Sequence, residues 1–415
     1  MRLPDLLRGN VPFRRFFLGH AVSLVGDQVT MIALPLVAVL ALDATAAQMG
    51  YLVAAELAPN LLFSLHAGAW ADRRGRRRQT MIATDIGRAL LIVSIPVAWA
   101  LDALTFPHLL VAAFGMGTLA VLFQVSYSSV FVALLERDRF VQGASLMHGS
   151  RAFSYVAGPS LGGLLVQALT APIALVVDAI SYVVSALFLR TVHVVEPPTE
   201  PPGKGHVVAG VRWVFASPIV RAALGATATT NFFNFMFFTL FILYATNELD
   251  VEPGTLGLVL GAGAVGGILG SIVTGRISRR IGIGPAFALG CVLFPAPLLL
   301  VPLADGPQPV ILACLFLAEF GAGFGVMLLD ITVGSIFAAV IPDRLRSRVA
   351  GAYSTVNYGV RPLGALAAGA LGTWIGVRET LWIATAGGLL GVLFLLPSPV
   401  LGLRTLPEAE PDAAA

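Results

Sequence analysis

Four carboxylates, Asp27, Glu56, Glu319 and Asp330, stand deep inside long apolar stretches of the chain. A charge at the centre of a bilayer costs roughly 2.5–3.5 kcal/mol or more, so such groups mark ion pathways, relays or cargo sites. A carboxyl in a dry site holds its proton more readily than one in water. Loading and releasing a proton near neutral pH needs that property, and the four acids are therefore candidates for proton coupling. Asp27 comes first, about 11 residues into its stretch and ~16 Å deep at 1.5 Å per residue. Glu319 comes second. It lies 11 residues before Asp330, a separation that returns to nearly the same helix face. A structural hydrogen bond to a neighbouring helix is the alternative for each acid, and the preferred reading for Asp85 and Asp178.

The cations among the apolar residues divide in the same way. Arg88 follows Asp85 by three residues, which suits a locally neutralised pair on one helix face, read here as lying near the cytoplasmic end. Arg151 and Arg361 lie more than ten residues deep; they are expected to pair with Asp27, Glu56 or Asp330, or to receive an anionic group of a cargo. The run Asn231-Phe-Phe-Asn234-Phe235-Met-Phe-Phe forms an aromatic and methionine wall that suits bulky apolar molecules, or ordinary helix packing. The glycines Gly261, Gly263, Gly266, Gly267 and Gly270 form a close-packing surface.

The elements that must carry these groups follow from composition. Hydrophobic residues make up 57% of the 415 positions and charged residues 12%, against roughly 25% charged in soluble domains. That balance excludes a soluble enzyme, a disordered chain and a nucleic-acid-binding module. Long apolar runs without alternation argue for helices rather than a β-barrel. Twelve spans are predicted, near 16–42, 46–70, 79–101, 107–134, 141–168, 172–192, 219–246, 253–277, 283–304, 309–337, 348–375 and 380–403. The apolar stretch after the basic lead Arg2–Arg15 is longer than the ~7–15 residues of a cleavable signal. Arginines cluster in alternate connections, which places both termini in the cytoplasm.

The halves resemble one another at an offset of about 206 residues: Gly158 and Gly163 pair with Gly364 and Gly369, and Gln124 with Asp330. Six spans per half give a parallel repeat about an axis along the membrane normal. The expected organisation is a six-helix bundle over 1–192, a cytoplasmic linker over 193–218 ending in an amphipathic helix, a second bundle over 219–404 and a cytoplasmic tail over 405–415.

The sharpest motif joins spans 2 and 3: Gly68-Ala-Trp-Ala-Asp72-Arg73-Arg74-Gly75-Arg76-Arg77. Glycine allows a sharp reversal, and Asp72 suits an arginine partner or a helix N-terminus, so the loop could latch the cytoplasmic faces. Positive-inside anchoring would explain the arginines, though not the spacing of Gly68, Asp72, Arg73, Gly75 and Arg77. This loop resembles the signature of the major facilitator superfamily, and Gly275–Gly282 after span 8 looks like a degenerate copy. Gly158-Pro159-Ser-Leu-Gly162-Gly163 is similar to the antiporter motif of drug exporters in that family, with Ser154 where a further glycine is expected. Phe13-Arg-Arg-Phe, Ser23-Leu-Val-Gly-Asp27, Asp85-x-x-Arg88 and Asp178-Ala-Ile-Ser-Tyr resemble the branch of macrolide-efflux and enterobactin-exporter-like proteins.

The resemblance implies an all-α membrane protein with twelve helices in two pseudo-symmetric bundles, alternating access driven by an ion gradient, and Asp72 in an interdomain latch. It implies a cavity lined by spans 1, 4, 7 and 10, which makes Gln124, Asn231, Asn234, Phe235, Arg151 and Arg361 substrate-cavity candidates. Many exporters of the family carry an arginine in span 4; span 4 here has no basic residue, so that relay has no counterpart.

No phosphate-binding loop is present, since Pro202-Gly-Lys204-Gly lacks its upstream glycine and Ser/Thr. Cys291 and Cys314 form no metal spacing, and His20, His66 and His148 read as packing residues. The expectation is a monomeric proton-coupled exporter of amphipathic drugs or macrolide-like natural products in a prokaryotic inner membrane, with no cofactor and no enzyme activity. A siderophore exporter and a non-transporting receptor or scaffold are the alternatives, and import instead of export stays open.

Overall fold

The computed structural model describes residues 5–194 and 206–406, apart from the side chains of 65–74, 206–210, 343 and 347. The proline-rich part of the expected linker and the tail beyond 406 lie outside the described residues. Every regular element among the described residues is helical. The first six long helices are α1 (Val11–Leu42), α2 (Ala46–Arg74), α3 (Arg77–Ala100), α4 (Phe106–Ala133), α5 (Phe140–Leu169) and α6 (Ala171–Arg190). A linker helix (His206–Ala216) precedes α7 (Pro218–Asn247), α8 (Pro253–Ile281) and α9 (Ile283–Leu293). Then follow α10 (Gln308–Val340), α11 (Arg346–Trp374) and α12 (Val377–Gly388). A 3-10 turn at Ala296–Leu299 and a short helix at Leu300–Leu303 extend α9, and a 3-10 stretch at Leu389–Leu395 extends α12.

Local chemistry sets the ends. The Asn10 side chain accepts from the Phe13 backbone N–H at 2.8 Å, capping α1, and Ser217 caps α7 in the same way. Gly75 turns the chain between α2 and α3 at φ +58°. Single residues reverse it after α5 and α8: Thr170 at φ 98°, ψ 153° and Gly282 at φ 97°, ψ 157°. Ten helical segments are long and apolar enough to cross a membrane. The two further spans, α2 and α11, have 29 residues each and are more polar, carrying among others Glu56, Arg346, Arg348 and Arg361. The twelve predicted spans thus correspond to the observed helices, with ends displaced by a few residues.

The chain divides into two compact units. One holds residues Met1–Gln48, Ala55–Pro202 and Asp250–Gly261; the other holds Met49–Ala54, Gly203–Leu249 and Ala262–Ala415. In the first, α1 packs on α5 and α6, and α3 on α4 and α6. In the second, α7 packs on α11 and α12, and α9 on α10. Glycines allow the tightest crossings at matching places. A Cβ on Gly158 of α5 would lie 2.3 Å from Gln28 of α1, and one on its repeat partner Gly364 of α11 would lie 2.2 Å from the Phe232 carbonyl of α7. Small residues are what let helix backbones approach in lipid.

Candidate functional site

The first unit gathers five polar side chains from three helices. The Tyr182 hydroxyl of α6 donates to Asp27 Oδ1 of α1 at 2.5 Å. Arg88 of α3 approaches the same oxygen at 3.8 Å and binds Asp85 Oδ1 at 2.9 Å. Its guanidinium carbon lies 4.6 Å above the rings of both Phe123 and Tyr182. Asp178 of α6 accepts from the Thr30 hydroxyl of α1 and from Ser181 at 2.9 Å. Gly26 makes room for this meeting, because a Cβ there would collide with Ser181 and Asp178. Three carboxyl groups therefore share one guanidinium, a balance that favours uptake of positive charge in a region of low dielectric.

Access separates the three acids. The Asp27 side chain is 38% exposed, whereas Asp85 and Asp178 are sealed at 0%. Asp27 faces a cavity of about 440 Å³ that Glu56, Asn60, Gln124 and Tyr182 also line. A second cavity of about 210 Å³ is lined by His20, Ser23, Gln28, Arg151 and Ser154. Asp27, Arg88, Ala120 and Gln124 line both, so one carboxylate is reached from two chambers.

Arg88 and Asp85 are more than the local pair near a helix end that their spacing suggested. Arg88 is the twelfth residue of the 24-residue α3, at mid-helix, where Asp27 is its second anionic partner. Asp178 and Tyr182 were not singled out as site residues because their contacts to α1 span about 150 positions of sequence. The usable signal was depth, since Asp27, Arg88 and Tyr182 all stand near the middle of their helices. Arg151 lines the smaller cavity, but among the described residues no ion pair joins it to Asp27 or Glu56.

The second unit distributes its candidates differently. Asn231 donates to the Thr227 carbonyl at 3.0 Å within α7. The Thr227 hydroxyl meets Tyr353 at 2.5 Å and accepts from Asn357 at 3.0 Å. Arg361 lies over the rings of Tyr358 at 4.0 Å and Phe235 at 4.9 Å. Glu319 sits against Gly263 of α8. Asp330 is exposed, with Arg361 as its charged neighbour. The aromatic run is not one wall. Phe237 and Phe241 are buried and stacked at 5.1 Å, while Asn234 and Phe233 line a residual space of about 10 Å³. Helical periodicity turns alternate rings into the bundle, leaving Phe235 and Phe238, 6.2 Å apart, on the less buried side.

With this geometry in view, the Major Facilitator Superfamily profile matches residues 16–365. The chain belongs to that superfamily. Over 383 residues it is 28% identical to the multidrug efflux pump Tap of Mycolicibacterium fortuitum, covering 86% of this chain and 88% of that protein. It is 26% identical over 387 residues to the pump of the same name from Mycobacterium tuberculosis strain ATCC 25618 / H37Rv, covering 86% of each. Two solved structures share the fold. A bacterial homologue of the human lysosomal transporter Spinster has a TM-score of 0.73 at 14% identity, over 95% of this chain and 97% of that one. The nucleoside transporter NupG has a TM-score of 0.72 at 12% identity, over 93% and 98%.

As a superfamily transporter, the chain carries its two signature motifs at helix connections and crossings. Gly75 makes the positive-φ turn between α2 and α3, and Arg77 opens α3. The side chains of Asp72 and Arg73, and the surroundings of Gly68, lie outside the described residues. In α5, Gly158 and Gly162 meet Gln28 and Val29 of α1, while Gly163 meets Pro253 and Gly257. Pro159 lies inside the same helix. These residues act through close packing.

Proposed function

We propose that the chain exports amphipathic drugs or hydrophobic, macrolide-like natural products across a prokaryotic inner membrane in exchange for protons, by alternating access. The relatives named as multidrug efflux pumps support drug cargo. The observation that carries the coupling is Asp27, half-exposed between two cavities and shared by Arg88 and Tyr182. Three acids around one arginine leave negative charge that a proton or a cationic group of the cargo neutralises. Because both satisfy the same deficit, binding of one weakens binding of the other, and exchange follows. Protonation of Asp27 removes the 3.8 Å partner of Arg88 and leaves the 2.9 Å contact to Asp85, so the proton alters the pairing without stranding the cation.

A panel of amphipathic drugs in everted membrane vesicles, with proton release followed at the same time, tests this reading. Drug uptake should collapse with an ionophore that abolishes the pH difference, and Asp27→Asn should uncouple the two fluxes. Accumulation to the same level without a gradient would reject proton coupling. Arg151 in the smaller cavity favours a second reading, an exporter of anionic, siderophore-like cargo. That reading requires the Arg151→Gln, Arg361→Gln double change to abolish transport of anions while sparing neutral drugs.

A further inference from the structure

The second unit carries a groove of about 780 Å³ on its outside, away from its polar residues. It exists because α12 does not stay regular. From Leu389 the helix tightens into a 3-10 stretch and stops before Pro397, whereas α6, its repeat partner, remains α-helical to Arg190. The irregular end leaves one side of α7 uncovered. Gly225 of α7 admits the Phe394 ring, which would lie 2.5 Å from a Cβ at that position. Val356 of α11, Leu393 of α12 and Phe215 of the linker helix complete the apolar wall. Leu393, Phe394 and Phe215 are about half exposed.

Positive charge stands at one end of this wall. Arg221 lines the groove and is exposed, with one guanidinium N–H donated to the Phe215 carbonyl at 3.2 Å. Arg212 is exposed one turn before Phe215 on the linker helix, on the same helix face. Among the described residues no ion pair engages either arginine. Trp213 packs against the core of the unit from the same helix. Tryptophan and arginine on a helix lying beside membrane spans are the anchors of an interfacial element.

We propose that this groove holds a phospholipid with an anionic headgroup, its acyl chain along Phe215, Val356 and Phe394 and its phosphate at Arg221 and Arg212. A neutral apolar ligand would use the wall and leave both arginines unanswered. A free phosphate would use the arginines and leave the wall empty. An anionic lipid matches both, and a juxtamembrane arginine strengthens binding to anionic lipid by about fivefold.

The test is native mass spectrometry of the full chain released from nanodiscs that contain equal amounts of phosphatidylglycerol and phosphatidylcholine. The wild-type protein should retain phosphatidylglycerol in preference. Arg212→Gln with Arg221→Gln should reduce that preference at least about fivefold, and Arg212→Lys with Arg221→Lys should preserve most of it. Ala228→Trp, which fills the groove, should lower retention of both lipids. Thermal unfolding of each variant separates lost lipid from lost fold. Equal retention of the two lipids by the wild type, or an unchanged preference in the folded glutamine variant, would overturn the proposal; so would displacement by inorganic phosphate alone.

Discussion

At an offset of 206 residues, Asp27, Asp85, Arg88, Asp178 and Tyr182 of the first unit correspond to Phe233, Cys291, Phe294, Ala384 and Gly388 of the second. One set is a charged and hydrogen-bonded cluster beside a cavity of about 440 Å³. The other is ring packing around about 10 Å³, with Phe233, Phe294 and Ala384 as its lining. The Phe233 ring lies where a Cβ on Gly387 would be, 2.3 Å away. The helices themselves cross alike in both units, as Gly158 and Gly364 show. The scaffold therefore folds with or without the charges. Buried ion pairs can commonly be replaced by apolar side chains without loss of stability, and the second unit is such a replacement. The cluster of the first unit must be explained by what it does.

The largest expected effect tests that contrast directly. Arg88→Gln removes the cation from three acids and should destabilise the first unit by about 3–5 kcal/mol, seen as a lower unfolding temperature. Phe294→Leu at the corresponding place should cost under about 1.5 kcal/mol. Equal losses would end the distinction between the units. A gain is expected at Thr170, a β-branched residue at φ 98° and ψ 153° in a region that is essentially reserved for glycine. Its repeat counterpart is Gly376, at φ 103° and ψ 157°. Thr170→Gly should stabilise by about 1–3 kcal/mol, and Gly376→Thr should destabilise by a similar amount; thermal unfolding reads both.

Asp27→Asn keeps an acceptor for Tyr182 and should leave the protein folded, yet reduce gradient-driven drug efflux at least about tenfold, the equivalent of ~1.4 kcal/mol. Glu319→Gln should retain most of the activity, since Glu319 stands apart from any such cluster. A transport assay in which the two changes act alike would move the coupling site out of the first unit. The smallest effect concerns Glu248, just beyond α7. Burial, with Glu379 nearby adding to it, raises its pKa, and Arg378 opposes the rise. The folded state therefore holds this proton more tightly than the unfolded chain, and stability falls as pH rises through the folded pKa. Glu248→Gln should raise the unfolding temperature slightly at neutral pH, with the gain fading as the pH falls into the acid range.

The helices were legible in the sequence because apolar runs and arginine clusters respond to the bilayer one span at a time. Asp27 was legible for the same reason, since its depth can be counted along a single helix. Arg88, Asp178 and Tyr182 were not, because their roles depend on how α3 and α6 are rotated toward α1. Depth along the chain contains no such angle. The aromatic run at 231–241 shows the same limit from the other side. Composition announces a ring-rich surface, but only packing decides that Phe237 and Phe241 are core while Phe235 faces Arg361. The residues of the cytoplasmic loop motif announced a turn, and Gly75 makes one.

Thr170 and Gly282 each join two long helices alone, and only Ile375 and Gly376 lie between α11 and α12. One extended residue reaches at most about 3.6 Å, so these connections contain almost no slack. Helices α5 and α6, α8 and α9, and α11 and α12 cannot slide past one another by a full turn. Whatever excursion the transport cycle requires, each of these pairs has to make it together as one stiff hairpin.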